Sequence, residues 1–280
     1  MTAAETAGSP WRRFWEHGGW WRSLLVVVAY YAVYQGVPLL FAPLFPAGET
    51  DEAAIVWIFT AIPVAFGGLV LVVLAWSLGW LRELFGPQPI RGRGWMWIAV
   101  VAVLLFNVLR FATIDYGEAG AGIVVAWLMA GLLVGFAEET LTRGFVVNLM
   151  RKGGYREITV ALVSAALFAL LHSGNLLTGQ ALVPTLLQLV YTFAFGICMY
   201  LALRVTGHLI WPILLHATTD PSIFLQTLHP AEGPLTAFAA LGNPVVIVTG
   251  LVLLIFIRGK AGENAAGAGL VEPGTAVPGR

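Results

Sequence analysis

Long apolar blocks dominate this chain, with short polar stretches between them. A helix-length window picks out eight blocks, at residues 21–40, 55–78, 95–111, 122–150, 158–171, 182–203, 209–225 and 244–257. A helix needs roughly 20 apolar residues to cross a hydrocarbon core of about 30 Å. One buried soluble helix can carry a dozen apolar residues, but repeated runs near twenty predict a membrane bundle. The pattern predicts an all-α, polytopic membrane protein with about eight transmembrane helices. It divides the chain into an N-terminal segment (1–20), a transmembrane domain (21–258) and a C-terminal tail (259–280). The tail is rich in Ala, Gly and Pro and is expected to be disordered. The first block lacks a small-residue cleavage site and reads as a retained helix rather than a signal peptide. No internal repeat is evident.

Composition supports the same reading. Of 280 residues, 59% are hydrophobic and 11% are charged, and mean hydropathy is +0.83. Soluble domains carry about 25% charged residues. Net charge is zero and there is no basic tract, so nothing points to nucleic acid. Cys198 is the single cysteine and has no intrachain disulfide partner; it reads as packing.

Loop charges orient the bundle. Arg12, Arg13, Arg22, Arg82, Arg91, Arg93, Arg151, Lys152, Arg156, Arg204, Arg258 and Lys260 fall on alternate connections and at the ends. The opposite loops hold Glu49, Asp51, Glu52, Asp115, Glu118 and Glu232. Arg110 is the exception. The positive-inside rule then predicts an even number of spans in the cell membrane, with both termini cytoplasmic. Trp20, Trp21, Trp80, Trp95 and Trp211 lie near span ends and read as interfacial.

The ionisable residues left inside the spans are Glu138, Glu139, Arg143, His172, His216 and Asp220. A charge at the bilayer centre costs at least roughly 2.5–3.5 kcal/mol on insertion scales, so such groups usually face a bundle interior. Counted from the cytoplasmic ends of their spans, they lie at similar depth, roughly 12–21 Å in at 1.5 Å per residue. Three spans thus bring polar groups to one level, as a single intramembrane site requires. Glu139 and Arg143 are i,i+4 and can pair, which leaves Glu138 free for chemistry. His216 and Asp220 are also i,i+4, so the carboxylate is expected to orient the imidazole. Phe168 sits one turn before His172 and limits its rotamers. One glutamate and two histidines in a dry pocket can hold and activate a water, and an imidazole can donate to an oxyanion.

These patterns resemble the CAAX prenyl endoprotease/Abi (CPBP) family of intramembrane proteases. That family carries Glu-Glu-x-x-x-Arg, Phe-x-x-x-His and His-x-x-x-Asn/Asp on three separate helices. Here they stand as Glu138-Glu139-x-x-x-Arg143, Phe168-x-x-x-His172 and His216-x-x-x-Asp220, in order and over roughly residues 123–224. The resemblance implies an eight-helix bundle enclosing an intramembrane cavity. It also implies endoproteolysis of a membrane-associated protein or peptide. Residue by residue, it implies Glu138 as general base, His172 and His216 on the water or a metal, and Asp220 on the oxyanion or in an orienting role. Asp220 departs from the commoner Asn, and an ionised Asp cannot donate to an oxyanion. Prenylated CAAX proteins are the family's eukaryotic substrates; in a bacterium, peptide maturation or bacteriocin self-immunity is expected.

Cofactor chemistry stays open at this point. A divalent metal such as zinc on His172, His216 and Asp220, with Glu138 as base, stands beside a glutamate-only mechanism. Blander readings stand too. Glu139–Arg143 is equally a buried ion pair fixing register, and Asp220 before Pro221 is readable as the cap of a broken helix. Ser173 follows His172 but lacks a nucleophile-elbow pattern. No HExxH motif is present. His208 and His229 read as solvated loop residues. A silent membrane scaffold or immunity protein, or a cation-coupled transporter relaying protons on Glu138 and Glu139, are the alternatives. The transporter reading expects an inverted repeat.

Overall fold

A computed structural model describes residues 9–41 and 51–261 of the chain. The expected tail disorder beyond residue 261, residues 1–8 of the N-terminal segment and Glu49 lie outside the described residues. Eight long helical elements follow one another: α1 (Trp20–Phe41), α2 (Glu52–Leu78), α3 (Gly94–Phe111), α4 (Tyr116–Lys152), α5 (Glu157–Leu176), α6 (Leu182–Thr206), α7 (Ile210–Leu228) and α8 (Pro234–Leu254). Short helices Pro10–Glu16 and Leu81–Phe85 flank α1 and α2. The described residues form no strand. The chain is an all-α, multi-pass membrane protein. Seven of these helices are long and apolar enough to cross a membrane. The eighth, α7, has 19 residues, among them His216, Thr218, Thr219, Asp220 and Gln226, and these polar groups lower its apolarity.

The bundle is apolar outside as well as inside. Leu69, Val101, Val183 and Val248 stand more than half exposed on the outer faces of α2, α3, α6 and α8. A water-soluble fold would hide such a belt, whereas lipid solvates it. The polar residues turn inward. Of the apolar stretches, that of α6 is the most covered, at 61% against 28% for α1 and α8, so α6 is the central post.

Two departures from the expected pattern matter. Trp80 is fully buried rather than interfacial. Its ring lies against Phe145 and its Nε1 donates to Glu16 at 2.8 Å. Arg151 and Arg204 are buried as well, although they read as loop charges, and so is Arg110 at the end of α3. Arg151 and Arg204 both reach Glu157, a carboxylate that drew no notice in the sequence because it stands at a helix start.

Helix α4 crosses α7 at close range, and two glycines on one face of α4 permit it. A Cβ on Gly131 would lie 2.3 Å from Pro221 Cγ and 2.6 Å from the Ala217 carbonyl oxygen. One on Gly135 would lie 2.6 Å from the Ile213 carbonyl. Small residues four apart let membrane helices touch backbone to backbone. This contact sets the next turn of α4, with its glutamates, beside His216.

Candidate active site

The Glu-Glu pair sits where α4 changes its winding. The helix is α-helical over Tyr116–Glu139, π-helical over Thr140–Val146 and α-helical again over Val147–Lys152. A π-turn rotates the side chains that follow it and recurs at functional sites. Here it carries Arg143. The Thr142 hydroxyl donates to the Glu138 carbonyl at 2.6 Å, and Ser164 of α5 donates to the Thr142 carbonyl at 2.9 Å. Local side chains therefore take up backbone acceptors within the altered turn.

The expected ion pair is present. Arg143 Nη1 donates to Glu139 Oε1 at 3.1 Å, with both side chains fully buried. The guanidinium also donates to Thr142 Oγ1 and, at 2.9 Å, to the Gly196 carbonyl of α6. It lies 4.7 Å from the centre of the Phe168 ring. These contacts tie α4, α5 and α6 together at one level.

His216 belongs to the same assembly, in a way the spacing did not foretell. Its Nδ1 lies 2.8 Å from Glu139 Oε1, so Glu139 orients the imidazole. Asp220 was expected in that role, but its Oδ2 stands 3.8 Å from the opposite nitrogen, Nε2, beyond hydrogen-bond length. The i,i+4 spacing brought Asp220 near; the α4–α7 contact brought a better partner to the other side. Helix α7 also runs through Pro221 to Leu228, so Asp220 does not cap a broken helix.

Glu138 keeps its chemistry available. Its Oε2 faces His216 Nε2 at 3.8 Å and has no hydrogen-bond partner among the described residues. The side chain is 16% exposed, against none for Glu139. It lines a cavity of about 80 Å³ with His172, Tyr30, Tyr31, Tyr34, Leu171 and Asn175. A few ordered waters fit such a volume.

His172 opens the 3-10 segment His172–Leu176 at the end of α5. Its Nδ1 lies 3.1 Å from the Phe168 carbonyl. A carbonyl only accepts, so Nδ1 carries a proton there and a neutral ring presents a bare Nε2. The Phe168 ring stands edge to face with both imidazoles, at 5.1 Å from His172 and 5.7 Å from His216. Phe168 thus does more than limit one rotamer: it packs against both rings.

Among the described residues no group of three His, Cys, Asp or Glu side chains stands close enough to share an ion. Both imidazole Nδ1 atoms are engaged, by the Phe168 carbonyl and Glu139, which leaves the two Nε2 atoms as the ring nitrogens open to a water or an ion.

Three features escaped the sequence reading. Tyr30, Tyr31 and Tyr34 of α1 line the cavity, yet carry no charge to flag them in an apolar block. Asn107 of α3 is buried and donates to Thr218 and Thr219 at 3.0 and 2.9 Å, bracing α7 beside Asp220. His229 is largely covered, near Glu52 and Glu118, rather than solvated. Cys198 is buried in packing, as expected.

A family model described as type II CAAX prenyl endopeptidase Rce1-like matches residues 120–221. The matched segment runs from the kink at Gly120 to Pro221 and includes all of Glu138, Glu139, Arg143, Phe168, His172, His216 and Asp220. No curated protein matches the chain.

Proposed function

We propose, from the premise that residues 120–221 belong to the CAAX prenyl endoprotease/Abi (CPBP) family, that this protein is an intramembrane endopeptidase. Its substrate is a membrane-associated protein or peptide. Glu138 is the general base: it takes a proton from a water whose oxygen attacks the scissile carbonyl carbon. The proton then passes to the leaving nitrogen as the C–N bond breaks, so one water is consumed per cut. The bare Nε2 of His172 accepts the water's other hydrogen, and His216 Nε2, 3.8 Å from Glu138 Oε2, flanks the same position. Glu139 and Arg143 fix His216 and the π-turn and take no part in proton transfer. Asp220 sets the polarity around His216 Nε2. The protein lies in the cell membrane with both termini cytoplasmic.

One observation carries this reading. Of two adjacent glutamates, Glu139 is fully buried and tied through Oε1 to an arginine and an imidazole, whereas Glu138 is bound to neither and is the one that lines a small cavity. The test is cleavage by detergent-purified protein, with a farnesylated CAAX peptide and an unprenylated membrane peptide assayed side by side. Cleavage that Glu138→Gln removes and a chelator leaves intact is the expected result. Loss on chelation, restored by zinc, would replace the glutamate-only mechanism. Absence of any cleavage would return the protein to the scaffold or transporter alternatives.

A further inference from the structure

An acyl-transfer site needs a donor for the oxygen that becomes negative when water attacks. The donors expected from the sequence are committed or wrong in kind. An ionised Asp220 only accepts. The Nδ1 positions of His172 and His216 face the Phe168 carbonyl and Glu139. Within the cavity wall, Asn175 Nδ2 donates to Gln188 at 2.9 Å, and the Tyr31 hydroxyl already has a partner, accepting from Gln35 Nε2.

Tyr30 differs. Its side chain is 3% exposed, its hydroxyl has no hydrogen-bond partner among the described residues, and it lines the same cavity as Glu138 and His172. A buried hydroxyl left unpaired is costly, so a native fold that keeps one calls for an explanation. The ring is also held in position. A Cβ on Gly67 of α2 would lie 2.5 Å from Tyr30 Cε2, so the missing side chain is the slot for the phenol. Tyr34 stacks near-parallel at 6.5 Å on the same helix face.

We propose that the Tyr30 hydroxyl is the hydrogen-bond donor to the scissile carbonyl oxygen as it becomes an oxyanion. The inference rests on the protease reading above and adds to it a catalytic residue from α1, outside the family-matched segment. The hydroxyl gives up no proton. It strengthens one hydrogen bond as charge develops and relaxes when the C–N bond breaks.

The experiment compares wild type, Tyr30→Phe and Glu138→Gln on whichever of the two peptides is cleaved. It adds binding of the same peptide with a phosphinate in place of the scissile amide, as an oxyanion mimic. Tyr30→Phe is expected to lower kcat by about 10²–10³-fold with little change in KM, the usual effect of removing one oxyanion donor. It should weaken the phosphinate by a similar factor. It should not weaken intact peptide bound in a Glu138→Gln background, nor lower the melting temperature, since no native hydrogen bond is lost. A kcat within threefold of wild type would overturn the proposal. So would equal weakening of phosphinate and intact peptide, or failure of Tyr30→Phe to fold, because each assigns the hydroxyl a structural role. Cleavage that survives Glu138→Gln would instead overturn the underlying protease mechanism, and is told apart by that variant alone.

Discussion

Two buried charge clusters sit at different levels of α4 in this protein, and they are built on opposite terms. Near the end of α4, Glu157 is surrounded by donors. Arg151 Nε and Nη2 reach its two oxygens at 2.9 and 2.8 Å, Arg204 Nη1 reaches it at 3.1 Å, and the Tyr200 hydroxyl donates as well. Gln88 takes a further Arg151 nitrogen at 2.6 Å. One carboxylate there faces two guanidiniums. Deeper in α4 the ratio reverses: Glu138, Glu139 and Asp220 surround His216, with Arg143 as the one guanidinium. Desolvating charge is expensive, and a saturated cluster recovers the cost through short, charge-assisted bonds. The deeper cluster leaves carboxylate oxygens of both Glu138 and Glu139 without a partner. The cluster whose carboxylate is fully paired is architecture; the one whose carboxylates are not retains reactive lone pairs.

Substitution should separate the two. Glu138→Gln removes the base and should lower cleavage by at least about 10²–10⁴-fold, the usual contribution of a positioned base, while the melting temperature stays near wild type. If activity survives, the contrast between the clusters has no functional meaning. Glu157→Gln should do the opposite. It strands two buried guanidiniums, and breaking a buried pair costs about 3–5 kcal/mol. Denaturation in detergent should show that loss, with activity per folded molecule retained.

Glu139→Ala falls between them. It strands Arg143 and also frees His216, so folded yield and kcat should both fall. Equal folding and equal activity of Glu138→Ala and Glu139→Ala would remove the division of roles between the two glutamates. The smallest effect is expected at the periphery. Burial pushes the Glu16 carboxyl up, but hydrogen bonds from Lys152 and Trp80 and the Lys152 charge outweigh it and hold it below the usual carboxylate range. A depressed carboxyl stabilises the fold above its unfolded value, and that contribution is lost as pH falls through the lower, folded value. The melting temperature should therefore drop slightly more steeply in acid for wild type than for Glu16→Gln. Identical acid profiles would leave Glu16 without a stabilising role, as exposed pairs often are.

Reporter fusions bear on the orientation shared by both clusters. Fusions after Lys152 and Lys260 should read cytoplasmic, and fusions at Asp51 and Glu232 external. A cytoplasmic signal at Asp51 would invert the argument drawn from the loop arginines.

Much of this protein was legible before any coordinates. Apolar blocks of helix length fix an all-α membrane bundle, because lipid leaves a backbone few other ways to satisfy its polar groups. Spacing gave the Glu139–Arg143 pair, because residues four apart on a helix are neighbours wherever the helix lies. Three motifs at matching depth predicted one site. The partner of His216 was not legible, since it depends on how closely α7 crosses α4, and that crossing is set by Gly131 and Gly135 meeting Ala217 and Pro221. Nor was the burial of Trp80, Arg151 and Arg204, which depends on neighbours far along the chain. Tyr30 in an apolar helix looks like any aromatic; only the folded bundle sets it on the wall of the cavity that Glu138 and His172 line. Local rules set which groups can be helical neighbours, and long-range packing decides which of them meet.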